Sequence, residues 1–178
     1  MSVRTTPKNS NLLRDLMQSP LQLLDYRSNL LRYERLNPEP VPDDINFGVG
    51  LGIEFETGFD EEQGAQRIDL IVSFNEDAVR EEIQPYIAHR GRFQVTGWLN
   101  WISEEVAARD DAERLLLVNG LSMLFGVARV YIADLTAGSG DRLMLPSITF
   151  KPVVDNFLGR ESEDANSSDA SSPTASSV

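Results

Sequence analysis

Residues 45–59 read INFGVGLGIEFETGF. Ile45, Phe47, Val49, Leu51, Ile53, Phe55 and Phe59 occupy odd positions, and the even positions carry asparagine, glycine or glutamate. A period of two puts one row of side chains on one face of a strand. The interleaved glycines are unusual for a strand interior. They weaken it, and they mark a bulge or a place where another backbone comes close.

The pattern repeats on the C-terminal side. After a polar turn at Asp60–Gln66, Arg67–Asn75 alternates with Ile68, Leu70, Val72 and Phe74 on one face. An acidic connector follows at Glu76–Glu82. Tyr86–Gly97 is a third alternating run, carrying Ile87, Phe93 and Val95. Three strands with short links predict an antiparallel meander. On the N-terminal side, Leu21–Leu36 adds a fourth extended segment. It is joined to the meander through Asn37–Pro42 (NPEPVP), whose three prolines make it a connector and not a sheet interior.

Beyond Gly97 the period becomes helical. Trp98, Trp101, Ile102 and Val106 predict a helix over Trp98–Ala108. A long helix is expected over Asp110–Leu135, with Asp110 or Asp111 as N-cap and Gly138 placed to end it. Asp141–Phe150 reads as extended around Pro146. Lys151–Leu158 reads as a short helix with Pro152 in its first turn. The expected fold is therefore α+β, a four-stranded antiparallel sheet with a long helix and a short C-terminal helix on one face. Its domain spans 20–160. Residues 1–19 form an extension in which Asn11–Gln18 reads as a short helix. Residues 161–178 form a serine-rich acidic tail too poor in apolar residues to pack, and disorder is expected there.

Composition narrows the function. The 178 residues hold 28 acids against 16 bases, a net charge of -12. Such a chain does not grip a phosphate backbone, so nucleic acid is not an expected partner. There is no cysteine, which excludes disulfides, thiolate metal sites and a thiol nucleophile. One histidine, His89, makes a histidine-rich metal centre or a Ser/His/Asp triad a poor fit. It stands in a strand pattern beside Arg90 and Arg92. All bases except Lys8 and Lys151 are arginine. Salt adaptation and codon bias both produce that ratio.

Met1–Ser10 has no apolar stretch behind its bases, so it does not read as a secretory signal. The most apolar window, Leu115–Leu135, is broken by Asn119, Gly120, Ser122, Arg129 and Asp134 and reads as a buried helix, not a membrane span. Cytoplasmic residence is the expectation.

The chemistry of sites is sparse. Gly48-Val49-Gly50-Leu51-Gly52 imitates a phosphate loop, but it lies inside a strand pattern with no helix or lysine behind it. No G-x-S-x-G is present. Glu54 and Glu56 share a strand face, where they suit a cation, a basic partner or simply solvent. Glu39–Gln66 holds eight acids and no base, either a solvated rim or a docking surface for a basic partner. No cofactor, metal or enzymatic activity is expected.

The second half resembles a known family. Gly91–Gly97 (GRFQVTG), a long helix with Leu124-Phe125 and Ala128-Arg129, Leu143–Phe150 (LMLPSITF) and an acidic polar tail together are similar to the bacterial export chaperone SecB. The resemblance covers roughly residues 20–170. The chain departs from it at Gly126-Val127 and Val130, where the family has Pro-Tyr and Glu, and at Thr149, where it has Asn. The acids by which the family docks the export motor ATPase have no clean counterparts; Asn29 and Tyr86 stand near two of them. The resemblance implies an ATP-independent holdase, a tetramer built as a dimer of dimers, and grooves for unfolded or precursor polypeptides. Phe47, Val49, Leu51, Ile53 and Phe55 would form a groove floor, with Phe150, Val154, Phe157 and Leu158 as the opposite wall. Leu117, Leu121, Leu124, Phe125 and Ile132 would form the subunit interface. Glu54 and Glu56 are weak candidates for partner docking. A SecB-like adaptor dedicated to one client, such as an antitoxin, is the alternative.

Overall fold

The computed structural model describes residues 21–44, 48–76, 82–138, 140 and 142–159. The expected N-terminal helix, the acidic tail and Phe47 lie outside them. Four strands form one antiparallel sheet: β1 (Leu21–Arg35), β2 (Leu51–Asp60), β3 (Ala65–Phe74) and β4 (His89–Trp101), in the order β1-β4-β3-β2. Helices α1 (Glu104–Ala107), α2 (Ala112–Ala137) and α3 (residues 151–159) follow. The α+β class and the meander β2-β3-β4 are as expected.

Alternation builds the sheet. Ile68, Leu70, Val72 and Phe74 of β3, with Phe93, Val95 and Leu99 of β4, all point to one face and are buried. The β2–β3 turn closes on Asp60, whose Oδ1 accepts the backbone N–H groups of Glu62 and Gln63 at 3.1 Å. Gly64, at φ 60°, supplies the left-handed step. At the other end of the hairpin, Asn75 adopts φ 54°, a region asparagine tolerates better than most residues. It exchanges bonds with Gly50 and donates from Nδ2 to the His89 carbonyl at 2.8 Å, so one side chain joins the ends of three strands.

Strand β1 lies at one edge and β2 at the other, so the proline segment must cross one end of the sheet. Leu36 and Glu39 pin it there, donating to the carbonyls of Ala88 and Pro85. Two further boundaries move. Of the alternating run at 45–59, residues 48–50 precede the strand, which starts at Leu51. Trp98–Trp101, expected as helix, is the last stretch of β4. Its partners decide this: Leu21, Gln22 and Leu23 pair with Trp101, Asn100 and Leu99, and Arg67 pairs with Trp98. The three-residue spacing of Trp98 and Trp101 was coincidental. Only Glu104–Ala107 of that segment is helical. Asp111 is the N-cap residue of α2 without a side-chain cap bond, because its carboxylate is engaged by Arg109. Gly138 ends α2 as expected, in right-handed geometry at φ -65°.

Helix α2 crosses β3 and β4. Leu117, Leu121, Leu124, Phe125, Ala128 and Ile132 are its inward face. It sits close because two positions lack side chains. A Cβ at Gly97 would meet Leu124 Cδ2 at 2.5 Å, and one at Gly120 would meet Ile68 Cδ1 at 2.6 Å. The stretch 142–150 then returns along α2. Leu143 donates to the Thr136 hydroxyl at 2.8 Å, and Arg129 Nε donates to the Leu145 carbonyl at 3.1 Å. This delivers Phe150 edge-on to Phe125 and places α3 beside the sheet, with Val154 buried.

Gly97→Val should therefore cost about 3 kcal/mol, the upper range of core overpacking. Gly58→Val, on an edge strand with open space around it, should change stability by less than about 1 kcal/mol. Urea midpoints at constant m-value measure both; equal midpoints for the two variants would refute the seat described for α2.

Candidate functional site

Among the described residues no group of three His, Asp or Glu side chains is placed to hold a metal. His89 is buried, its Nδ1 hydrogen-bonded to the Tyr33 hydroxyl at 3.0 Å with the rings stacked. What the fold offers is two apolar edges.

The first edge is β2. Val49, Leu51, Ile53 and Phe55 share one face and are half-buried against the core. Above them lies α3, where Phe157 packs on Phe55 with ring centroids 4.9 Å apart, and Leu158 is half-buried beside it. Two residues expected in the opposite wall are placed elsewhere: Phe150 and Val154 are fully buried and root α3 in the core. They present no surface to a ligand. Among the described residues, the outer side of β2 has no strand neighbour. Its pairing with β3 runs from Leu51 to Asp60 without a register shift, so the free side is a regular ladder of backbone groups.

The second edge joins β1 to α2. The five helix residues expected to meet another subunit, Leu117, Leu121, Leu124, Phe125 and Ile132, are at most 4% exposed inside the protomer. They are core residues, because this is the side of α2 that the sheet covers. The opposite side is also apolar: Met123, Val127, Val130 and Tyr131 line a groove of about 870 Å³ with Tyr26 and Ser28 of β1. Val130 is 62% exposed and Tyr26 49%. The Tyr131 ring stacks on Phe93 at 4.4 Å and closes the core there. By length and composition α2 is apolar enough to span a membrane, yet 44% of its most apolar 18-residue window is buried in this fold. The signal for its outer face was in the sequence: apolar residues at 123, 127, 130 and 131 keep helical spacing.

The face of the sheet turned away from the helices is charged and largely neutralised. Arg92 bonds Glu54 at 2.8 Å, Arg67 bonds Asp69 at 2.7 Å, and Arg90 lies 3.7 Å from Glu34. Thr96 and Gln94 also donate to Asp69. Glu54 and Glu56 do share this face, but Glu54 is already engaged. Arg27 stacks 5.1 Å from the Trp98 ring centre, and the Trp98 indole donates to Asp60 at 2.6 Å.

No protein-family model and no curated protein sequence matches the chain. Among solved structures it is similar to the SecB-like chaperone Rv1957 of Mycobacterium tuberculosis, solved in complex with a ChAD peptide from the Rv1956 HigA1 antitoxin. Identity is 20%, coverage 73% of this chain and 91% of that one, and the TM-score 0.41. A Streptococcus agalactiae protein of unknown function shows 14% identity, coverage of 73% and 94%, and a TM-score of 0.32. Superpositions this loose transfer neither a site nor a partner.

The Trp98 indole, then the backbone bonds of the β2–β3 turn, hold the Asp60 carboxyl below its ordinary 3.8. A carboxylate lowered on folding stabilises the fold above its unfolded value, and that contribution disappears as pH falls through the folded value. Wild type should thus lose, below about pH 4, an increment of stability that Asp60→Asn lacks. Urea midpoints between about pH 6 and pH 2.5, followed by tryptophan fluorescence, test this; a constant gap between the two proteins would contradict it.

Proposed function

We propose that this protein is a non-enzymatic, cytoplasmic holdase of the SecB kind, binding unfolded polypeptide along β2 and self-associating through the β1–α2 groove. The observation that carries the reading is the β2 edge. It combines a regular backbone ladder, unpaired among the described residues, with an apolar row at 51, 53 and 55. An extended chain added to such an edge gains main-chain hydrogen bonds and seats alternate side chains in apolar pockets. Neither requires a nucleotide. The motif order read at Gly91–Gly97, Leu124–Arg129 and Leu143–Phe150 supports the same reading.

The second edge fits a second copy. A second apolar strip on a helix calls for cover as the first does, and a contiguous exposed patch marks an interaction surface. A two-fold contact through Tyr26, Val127, Val130 and Tyr131 would bury it against itself. Strand β1 is less suited to templating a client, since its ladder is broken between Leu23 and Asp25 and again between Leu30 and Arg32. Delivery to an export motor is not part of the proposal, because three acids of the outer sheet face, Glu34, Glu54 and Asp69, lie against arginines.

The test is refolding of a chemically unfolded, slow-folding precursor, without nucleotide, at low and high salt. Delay at near-stoichiometric amounts is expected. Leu51→Ser with Ile53→Ser should weaken capture about tenfold or more, since two apolar contacts are lost. Unchanged capture by a folded double variant would exclude β2 as the binding edge. Delay of one client alone would identify the dedicated adaptor; no delay of any client would end the holdase reading.

Assembly is tested separately. Val130→Glu with Tyr26→Glu alters side chains that are 62% and 49% exposed in the protomer. Sedimentation should show an oligomer for wild type and a folded monomer for the variant. A wild-type monomer, or an unchanged oligomer in the variant, would overturn this interface.

A further inference from the structure

The sequence just before β1 carries an apolar stripe of its own. Residues 11–18 read NLLRDLMQ. On a helix Leu12, Leu13, Leu16 and Met17 fall on one side, and Arg14, Asp15 and Gln18 on the other. Two turns of helix are not stable alone in water, so such a stripe calls for a surface to lie on. The segment is outside the described residues, but the point where it joins the fold is fixed. Leu21 is 1% exposed and pairs with Trp101 at the start of β1.

The β1–α2 groove lies within reach of that point. Tyr26 pairs with Gly97, above which Leu124 stands, so Tyr26 and Met123 mark the near end of the groove. Asp134 marks the far end, about 16 Å further along α2. Tyr26 is about 17 Å from Leu21 along the strand. Residues 11–18 span about 12 Å as a helix, and Ser19 and Pro20 add about 7 Å. A turn at Ser19-Pro20 lays the segment back along β1. Leu16 and Met17 then pass the level of Leu24, which is 52% exposed, and Leu12 and Leu13 come level with Tyr26 and Met123. Lys8 and Arg4 run on toward Asp134, whose side chain is 70% exposed with Arg142 at 3.6 Å. Charge agrees with this course. Residues 1–20 hold three bases, Arg4, Lys8 and Arg14, against one acid, Asp15, in a chain of net charge -12.

We propose that residues 4–18 are an intramolecular arm that seats Leu12 and Leu13 in the β1–α2 groove of their own protomer and so competes with self-association. This rests on the reading of that groove as the assembly surface. With the arm seated, Tyr26 and Met123 are covered and the protomer stays apart. With the arm displaced, the same surface is open to a second copy. The fraction of protomers with a displaced arm scales the apparent affinity of assembly.

The test uses the full-length protein. The absence of cysteine allows a single nitroxide at Ser10→Cys in methyl-labelled protein. The label should broaden the methyl signals of Val127 and Val130. The broadening should persist when this protein is mixed with a large excess of unlabelled, spin-free protein, and it should be lost in Leu12→Ser with Leu13→Ser. No broadening, or broadening that vanishes on mixing, would overturn the intramolecular arm. Sedimentation reads the competition. Leu12→Ser with Leu13→Ser should tighten self-association about five- to tenfold, since two apolar contacts no longer hold the arm down. Adding Val130→Glu with Tyr26→Glu should abolish association in that background. If the broadening behaves as expected while association is the same with and without the arm substitutions, the arm stands and the groove is not the assembly surface. If association tightens without any broadening in the wild type, the assembly reading stands and the seated arm fails.

Discussion

The closeness of α2 to the sheet is the constraint on which the rest of the structure depends. Leu124 fills the space above Gly97, and Ile68 and Leu99 fill the space below Gly120. With the helix seated there, its rotation is fixed, because any other face would put a side chain where those glycines leave none. Leu117, Leu121 and Leu124 are then committed to the core, and Val127, Val130 and Tyr131 to the outside. The return segment is fixed by the same choice. Arg129 and Thr136 receive residues 143–147 only because α2 presents them along that flank.

A single helix layer cannot cover four twisted strands. Helix α2 lies over β4, β3 and the β1 residues Leu21 and Leu23, of which Leu23 stands beside Leu124 above Gly97, and it leaves β2 to α3. Strand β1 has two register shifts along its pairing with β4. Strand β2 is regular and is covered by α3, which is rooted through Phe150 and Val154. The asymmetry has a physical consequence. A bulged edge discourages strand addition, while a regular edge invites it. The two apolar surfaces are thus suited to different occupants, even though both arise from the same shortage of cover.

The sheet was legible in sequence because period two survives wherever one face is buried and the other is wet. The rows at 68–74 and 93–95 were read correctly for that reason. Trp98–Trp101 was misread because a long strand end carrying two tryptophans has the spacing of a helix turn, and only its pairing with β1 and β3 resolves it. The misassigned interface has another cause. Helix α2 is apolar on both sides, so periodicity reveals that two faces exist and not which one the sheet takes; Gly97 and Gly120 decide that, through distances invisible in one dimension. Likewise, Phe150 and Val154 share the helical spacing of Phe157 and Leu158. Only the fold separates root from tip.

Charge explains how an apolar edge can persist without pairing with its own copy. Strand β2 carries Glu54, Glu56 and Asp60 with no base, and Glu61 and Glu62 follow in the turn. Two copies of this edge brought together would align like charges, which opposes pairing. An unfolded chain without that row of acids meets no such barrier. Strand β1 is different, with Arg27, Arg32 and Arg35 set against Asp25 and Glu34, so its charge does not oppose a second copy. Part of the net charge of -12 therefore lies where self-association would close the β2 edge, while charge is nearly balanced on β1, where self-association would cover the remaining face of α2.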